Sequence, residues 1–572
     1  MSSNSIFKFG AAALAVLAVV GYFLVSFGPE EPQSGRGGLT RDDALVELAG
    51  YVEKIKPLQQ FTNWRAPVPL GAEPSLEDTL PKIEKFPLAV DPITNADDVV
   101  VEIFSSTEKS GKGSDGWLVT VAEEFNKKGI KLAGGRTAKV KVRYIASGTG
   151  YQYIGSGKYL PGGFTPSNEL WIKMAEGRGV RMTPISDSMI SNLAGVVMKT
   201  RVADTLKTQG GTLNIKSLID AVSQGKLSMG YTNPFASSTG LNFLVTVLQT
   251  FSGGDDAQLL SPDVASAFEV FQRSVPFVAL TTIQMRQSVD NDGSLDAFVM
   301  EYQTFVKDKS LSSGYEFIPF GAPHDNPLYA VGDLPEEKLE TLRAFAEFAK
   351  EPAYTARAEE YGFKPHADYQ PPYAAPAGEL IIRAQNFWKE KKYAGRPIAA
   401  VFLCDVSGSM SGTRIHGVRE ALKQAATFIP RESSIGVVAF SNDVSILLPI
   451  KKFDLNQKGA LLATAQSLQE GGGTAMYDGV AVALSMLAEE QKKQPNLKPM
   501  LFVLTDGETN RGLSFDNMRG VIEGINVPVF TIGYEADIAE LQRLSSVVEA
   551  ASLQADSEDI AYKLSTIFNA EM

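Results

Sequence analysis

Cysteine is almost absent from this chain: Cys404 is the single one in 572 residues. An intrachain disulfide is therefore impossible, and so is a Cys/His zinc cluster. Histidine is nearly as scarce, with only His324, His366 and His416. That excludes histidine-rich metal chemistry and leaves a Ser-His-Asp hydrolase few candidate bases. No nucleotide-binding G-x-x-x-x-G-K-[ST] loop occurs, and neither does a basic block. Lys and Arg total 54 against 66 Asp and Glu, giving a net charge of -12. An acidic chain of this kind does not suit nucleic acid. Wholesale disorder is excluded by 44% hydrophobic and 21% charged residues. The length is too great for one core, since single cores stop growing at roughly 250–300 residues.

Long apolar runs are also missing, with one exception. Phe9 to Phe27 reads FGAAALAVLAVVGYFLVSF and carries no charge. As a helix it would span about 28 Å, close to a bilayer core of roughly 30 Å. Tyr22, Phe23 and Phe27 cluster toward one end, where aromatic belts lie. A cleavable signal peptide is the alternative, but the run is long for its apolar region and no A-x-A site follows. The expectation is an uncleaved anchor at 9–27 behind a short tail at 1–8. Lys8 before the span and Glu30 and Glu31 after it favour a cytoplasmic N-terminus and an extracytoplasmic body; Arg36 and Arg41 pull the other way.

Residues 28–96 read as a linker with one short helix, Thr40 to Lys56, followed by a spacer in which prolines recur. A mixed α/β unit spans 97–366. A second proline cluster, YQPPYAAP, marks a linker at 367–395, and the last unit runs from 396 to 572. In that unit the apolar runs IAAVFLC and PMLFVLT alternate with helical segments. Continuous apolar strands between helices predict a doubly wound, mostly parallel sheet covered on both faces. Ligands of such sheets bind at the carboxyl ends of the strands.

The polar residues fall at those ends. Asp405, Ser407 and Ser409 follow the first strand, Thr474 follows three glycines, and Asp506 follows PMLFVLT. Two carboxylates and three hydroxyls make a hard, oxygen-only set suited to Mg²⁺ or Mn²⁺. Hydroxyl ligands leave the ion under-neutralised, so an outside carboxylate can complete its shell. This D-x-S-x-S, Thr, Asp series resembles the metal-ion-dependent adhesion site of von Willebrand factor A domains. The resemblance covers about 175 residues. It implies a metal held directly by Ser407, Ser409 and Thr474, with Asp405 and Asp506 acting through hydrogen bonds or water, and a protein partner bound through a carboxylate. Cys404 reads as a small buried hydrophobe, and His416 as a solvated helix residue.

The middle unit has the length of a two-lobed α/β binding protein. VVVEIFSSTEKSGKGSDGWLVTVAEEFN, KVRYIASGTG, GKLSMGYTNPFASSTGLNFLVTVLQTF and AYTARAEEYGFKP resemble, in order, segments of bacterial extracellular solute-binding proteins. Ser105, Ser106, Ser147, Thr149, Asn233, Ser237 and Ser238 stand at strand and helix ends, where free N–H groups favour a polar ligand. The same residues serve equally well as plain helix caps. Trp171, Arg178 and Arg181 are candidates for an aromatic or positive wall.

No nucleophile–base–orienter set is visible, so the expectation is a binding protein rather than an enzyme. It would be anchored in the cell membrane with its bulk outside, binding a protein partner through the metal and a small ligand or second partner through the middle unit. The alternatives are the solute-binding subunit of an ABC-type transporter with an appended docking module, and a cytoplasmic partner of an ATPase. The anchor reading predicts that N-terminal sequencing of membrane-extracted protein finds residues upstream of Gly28; a mature start at or beyond Gly28 refutes it.

Overall fold

The computed structural model describes residues 39–571 apart from 69–75, 211, 277, 280–284, 286–294, 312, 367, 394, 508, 535–538, 548–551 and 557–558. The apolar run at 9–27 lies outside them. Among the described residues no helix is long and apolar enough to cross a membrane.

The first described element is a helix, Arg41–Ile55, capped by Thr40, whose hydroxyl accepts from Asp43 N at 3.2 Å. A short strand, β1 (Leu58–Gln59), follows. The first lobe of the middle unit then holds β2 (Leu88–Val90), β3 (Asp98–Ser105), β4 (Thr137–Tyr144), β5 (Gly163–Thr165) and β6 (Met182–Ser186). The second lobe holds β7 (Ala194–Lys199), β8 (Met229–Thr232), β9 (Val278–Ala279), β10 (Ala297–Glu301) and β11 (Tyr315–Pro319). The chain returns to the first lobe for β12 (Leu328–Val331). The sheets have the orders β2-β4-β3-β5-β12-β6 and β11-β7-β10-β8-β9. The two crossing segments between lobes are tied together, His324 N to Asn192 O at 3.0 Å and Met189 N to Asn326 O at 3.2 Å.

The C-terminal unit contains β13 (Ile398–Asp405), β14 (Ser434–Phe440), β15 (Val444–Lys452), β16 (Lys498–Thr505), β17 (Val529–Tyr534) and β18 (Ser552–Ala555). Its sheet has the order β1-β15-β14-β13-β16-β17-β18. β13, β14, β16, β17 and β18 run parallel, and β15 is antiparallel to β14. Every residue of β13 is buried, as a central strand covered on both faces requires. One face packs under the helices Thr413–Phe428, Leu455–Ser467 and Ile560–Glu571, the other under Met476–Lys493 and Phe515–Ile525.

Residues 39–68, expected as linker, lie on this C-terminal unit. Ala44 and Leu48 of the helix Arg41–Ile55 are 0% and 2% exposed, and they join the core beneath Met476–Lys493 and Phe515–Ile525. Gly524 permits the approach, since a Cβ there would stand 2.6 Å from that of Ala44. β1 then pairs in parallel with β15, and the ladder continues with Gln60 N to Ile446 O at 3.1 Å and Thr62 N to Leu447 O at 3.0 Å. An added edge strand covers the unpaired groups of β15. The apolar stripe of the helix explains the docking: left in a free spacer it would face water. At the start of the helix, Arg41 bonds Ile525 O at 3.3 Å, just before β17 and so at the edge opposite the strands' carboxyl ends.

The linker expected at 367–395 also packs. Its helix Gly378–Lys391 bridges the two lobes. Gly378 lies against Lys173 of the first lobe, where a Cβ would meet Lys173 O at 1.8 Å. Gln385 Nε2 donates to Pro234 O of the second lobe at 2.8 Å, and Trp388 is buried in that lobe's core. Leu48→Ala should lower the stability of the C-terminal unit by about 2–5 kcal/mol, read as an earlier denaturant midpoint. An unchanged midpoint would mean that the N-terminal helix contributes no packing.

Candidate functional site

At the carboxyl end of β13 stands Asp405, fully buried. A buried carboxylate must be satisfied by donors, and two hold it. Thr505 Oγ1, at the end of the neighbouring β16, donates to Oδ2 at 2.5 Å, and Ser407 N donates to Oδ1 at 2.7 Å. Burial pushes the Asp405 pKa above the usual carboxylate range, against the pull of these two bonds. Ser407 Oγ and Ser409 Oγ are 2.9 Å apart, and Ser409 Oγ donates to Asp506 Oδ1 at 2.8 Å. Four of the expected residues thus form one hydrogen-bonded chain across two loops.

Thr474 joins through backbone. Gly408 N bonds Gly472 O at 3.0 Å, and Gly471 N bonds Val406 O at 2.8 Å, which fastens the Thr474 loop to the Asp405 loop. Gly472 has φ 87°, and a Cβ there would stand 2.8 Å from Asn442 Nδ2; glycine meets both demands. Thr474 N donates to Asn510 Oδ1 at 2.9 Å, and its carbonyl accepts from Asn510 N and Thr509 Oγ1, both at 3.0 Å. Sequence reading missed Thr505, Asn510 and Arg414. The last donates to Asp506 Oδ2 at 2.5 Å. The LTDGETN run around Asp506 holds two of the three, but nothing local marks their roles.

Among the described residues no three His, Cys, Asp or Glu side chains gather. The candidate metal centre instead mixes two carboxylates with three hydroxyls, the hard-oxygen chemistry of Mg²⁺ or Mn²⁺. The donor set fits such an ion, with Ser407, Ser409 and Thr474 supplying hydroxyls and Asp405 and Asp506 supplying charge. Cys404, one residue earlier, is buried, and burial pushes its thiol up to about 12, which leaves it protonated and inert.

Residues 400–568 match the von Willebrand factor type A domain. Residues 111–364 match the bacterial extracellular solute-binding protein family. The chain therefore carries both domains, the solute-binding one first. Inter-alpha-trypsin inhibitor heavy chain H3 of Pongo abelii is 29% identical over 150 residues, covering 24% of this chain and 17% of that protein. Heavy chain H4 of Homo sapiens is 28% identical over 155 residues, covering 25% and 16%. The match thus spans less than a fifth of these relatives' length. Among solved structures, von Willebrand factor type A from Catenulispora acidiphila aligns with TM-score 0.28 and 21% identity, over 30% of this chain and 42% of that one. The sulfate-binding protein SubI from Mycobacterium tuberculosis aligns with TM-score 0.33 and 14% identity, over 51% and 96%.

In the solute-binding domain all seven expected ligand residues are buried, but they do different things. Ser106 and Ser238 sit in contacts around the interlobe junction. Ser106 Oγ accepts from Lys109 Nζ, and Ser238 Oγ accepts from Trp171 Nε1 of the other lobe at 2.9 Å. Ser105 O accepts from Ser110 Oγ at 3.1 Å, and Ser147 Oγ lies 3.5 Å from Ser167 Oγ. Ser237 is a helix cap, accepting from Gly240 N at 3.3 Å. Thr149 turns outward to the von Willebrand domain, its hydroxyl 3.0 Å from that of Tyr562. Asn233 accepts from Phe235 N at 2.9 Å, while its Nδ2 is buried without a partner. Of the expected wall only Trp171 faces the junction. Arg178 and Arg181 pair with Glu77 and Asp333 at 3.3 and 2.5 Å, away from it.

The junction itself is organised by residues that sequence reading missed. Lys109 Nζ donates to Thr165 O at 2.8 Å and Asn326 Oδ1 at 2.9 Å. Glu301, fully buried among polar groups, accepts from Asn192 Nδ2 at 3.1 Å and Thr239 Oγ1 at 3.3 Å. His324 Nε2 faces the amide nitrogens of Asn168 and Asn242 at 3.0 and 3.2 Å. Those amides are oriented by backbone bonds to Leu170 N and to Ala322 N and O, so Nε2 accepts. The ring proton is then on Nδ1, which donates to Glu301 Oε1 at 3.1 Å.

Burial lowers the Lys109 ammonium from 10.5 to about 8, against the pull of Glu108 and Glu301. Below pH 8 the ammonium is charged in both folded and unfolded chains, and its burial cost is fully present. Between about 8 and 10.5 the folded chain loses the proton first, so this group's contribution to stability rises with pH. Wild type should therefore gain on Lys109→Met across that window in denaturant titrations. A difference independent of pH would contradict the assignment.

Proposed function

We propose that this chain is a membrane-anchored, extracytoplasmic binding protein. Its von Willebrand factor type A domain holds Mg²⁺ or Mn²⁺ at Asp405, Ser407, Ser409, Thr474 and Asp506, and through the ion takes a carboxylate of a protein partner. The observation that carries the reading is the bonded chain Ser407–Ser409–Asp506 beside the buried Asp405. Three hydroxyls cannot fill an octahedral shell, so water or a partner oxygen completes it. The bound ion supplies a Lewis-acidic coordination position. The protein supplies its placement and the negative charge that retains it. Nothing in this reading calls for catalysis.

The anchor at Phe9–Phe27 would join the body through Arg41. That residue sits at the end of the sheet away from the metal residues. The solute-binding domain would take a small ligand or a second partner, and the unpaired Nδ2 of Asn233 is a donor such a ligand could satisfy. The match of residues 111–364 favours a second reading, a transporter's solute-binding subunit with the metal domain as docking module. A neighbouring permease and ATPase would be required for it.

Asp405→Ala in the full chain tests the metal. It should weaken Mn²⁺ binding about 10–100-fold, measured by the free-ion electron paramagnetic resonance signal, while circular dichroism stays unchanged. Equal affinity in the two proteins would reduce these residues to a polar turn.

A further inference from the structure

Arg414 lies five residues after Ser409, in the first turn of the helix Thr413–Phe428. Its Nη1 donates to Asp506 Oδ2 at 2.5 Å and to Ser409 O at 3.2 Å. The Asp506 side chain is fully buried beneath it, while that of Arg414 is 32% exposed. Ser409 holds the other carboxylate oxygen. Arg414 and a metal ion therefore draw on the same carboxylate. Arg511 stands on the far side of the Thr474 loop, its Nη1 on the neutral Asn442 Oδ1 at 3.0 Å. It packs against Gly473.

The charge count follows. Asp405 and Asp506 offset a divalent ion, so without Arg414 the loaded site would be neutral. With Arg414 these two carboxylates, the guanidinium and the ion sum to one net positive charge, in a chain whose net charge is -12. A site neutral overall still coordinates a partner carboxylate through the ion, but with a smaller preference over an amide or hydroxyl oxygen. A cationic one discriminates by charge, and Arg511 extends the positive rim. We propose that Arg414 sets the ligand class of this site: it lowers metal affinity by competing for Asp506 and in return commits the loaded site to an acidic peptide segment.

This rests on the metal reading, and the experiment separates the two. Mn²⁺ affinity is measured for wild type, Arg414→Gln, Arg414→Lys and Asp405→Ala, each as the full chain. Retention of a Glu-rich peptide and its Gln-rich counterpart is then measured on the Mn²⁺-loaded proteins. Arg414→Gln should bind Mn²⁺ roughly five- to thirty-fold tighter, allowing for solvent screening of a partly exposed guanidinium. Its preference for the Glu peptide should shrink, while Arg414→Lys keeps the wild-type behaviour. Unchanged or weaker Mn²⁺ binding in Arg414→Gln overturns the proposal, and Arg414→Met, which also removes the charge, is read in the same way if the glutamine variant fails to fold. So does an undiminished peptide preference, or a loaded wild type that retains neither peptide. Wild-type affinity in Asp405→Ala removes the metal reading itself, and this proposal with it.

Discussion

The C-terminal domain is organised around one buried carboxylate. Asp405 ends the central strand with no exposure to water, and a carboxylate so placed costs several kcal/mol unless donors surround it. Its donors fix the neighbourhood. Thr505 must stand beside it, which ties the ends of β13 and β16 in register, Cys404 opposite Leu504. Ser407 N must turn back, which bends the loop so that Ser407 and Ser409 present their hydroxyls together. Asp506 follows Thr505 and meets Ser409 as a consequence. The candidate metal centre is thus the outer side of a network whose inner side satisfies one desolvated charge.

The same domain is the body on which the rest of the chain is assembled. Its sheet needs both faces covered, and the N-terminal helix supplies part of that cover before the solute-binding domain begins. The solute-binding domain is in effect inserted between this helix and β13. It touches the C-terminal domain again through Tyr562, which bonds Thr149 and Gln152 on the helix Ser147–Ser156, and through Lys85 with Asp556 at 2.7 Å. Thr149 lies two residues from Ser147, near the interlobe contact of Gly148 N with Ala236 O. A continuous packed path therefore runs from the lobe junction to the last helix of the C-terminal domain.

Within the solute-binding domain, polarity is concentrated at the junction rather than spread over a surface. Lys109, Glu301 and His324 are each buried and each supplied with partners. Ion pairs and amides in a low-dielectric interior are costly when incomplete. Their mutual satisfaction defines one geometry for the two lobes, which the helix Gly378–Lys391 reinforces from outside.

The α/β class, the parallel C-terminal sheet and the two-lobed middle domain were legible in the sequence because strand-length apolar runs and helical spacing are local signals. So were Asp405, Ser407 and Ser409, since the alternation that aims three oxygens to one side of a turn is written within five residues. Thr474 and Asp506 could be placed because each follows a recognisable glycine run or strand. The contacts of Arg414 and Thr505, the Lys109–Asn326 and Glu301–His324 bonds, and the docking of both supposed linkers were settled only by folding. Lys109 and Asn326 are separated by 217 positions, Asp405 and Thr505 by 100. No local pattern encodes such pairs, because the partner of a buried charge is chosen by which backbone the sheets bring beside it.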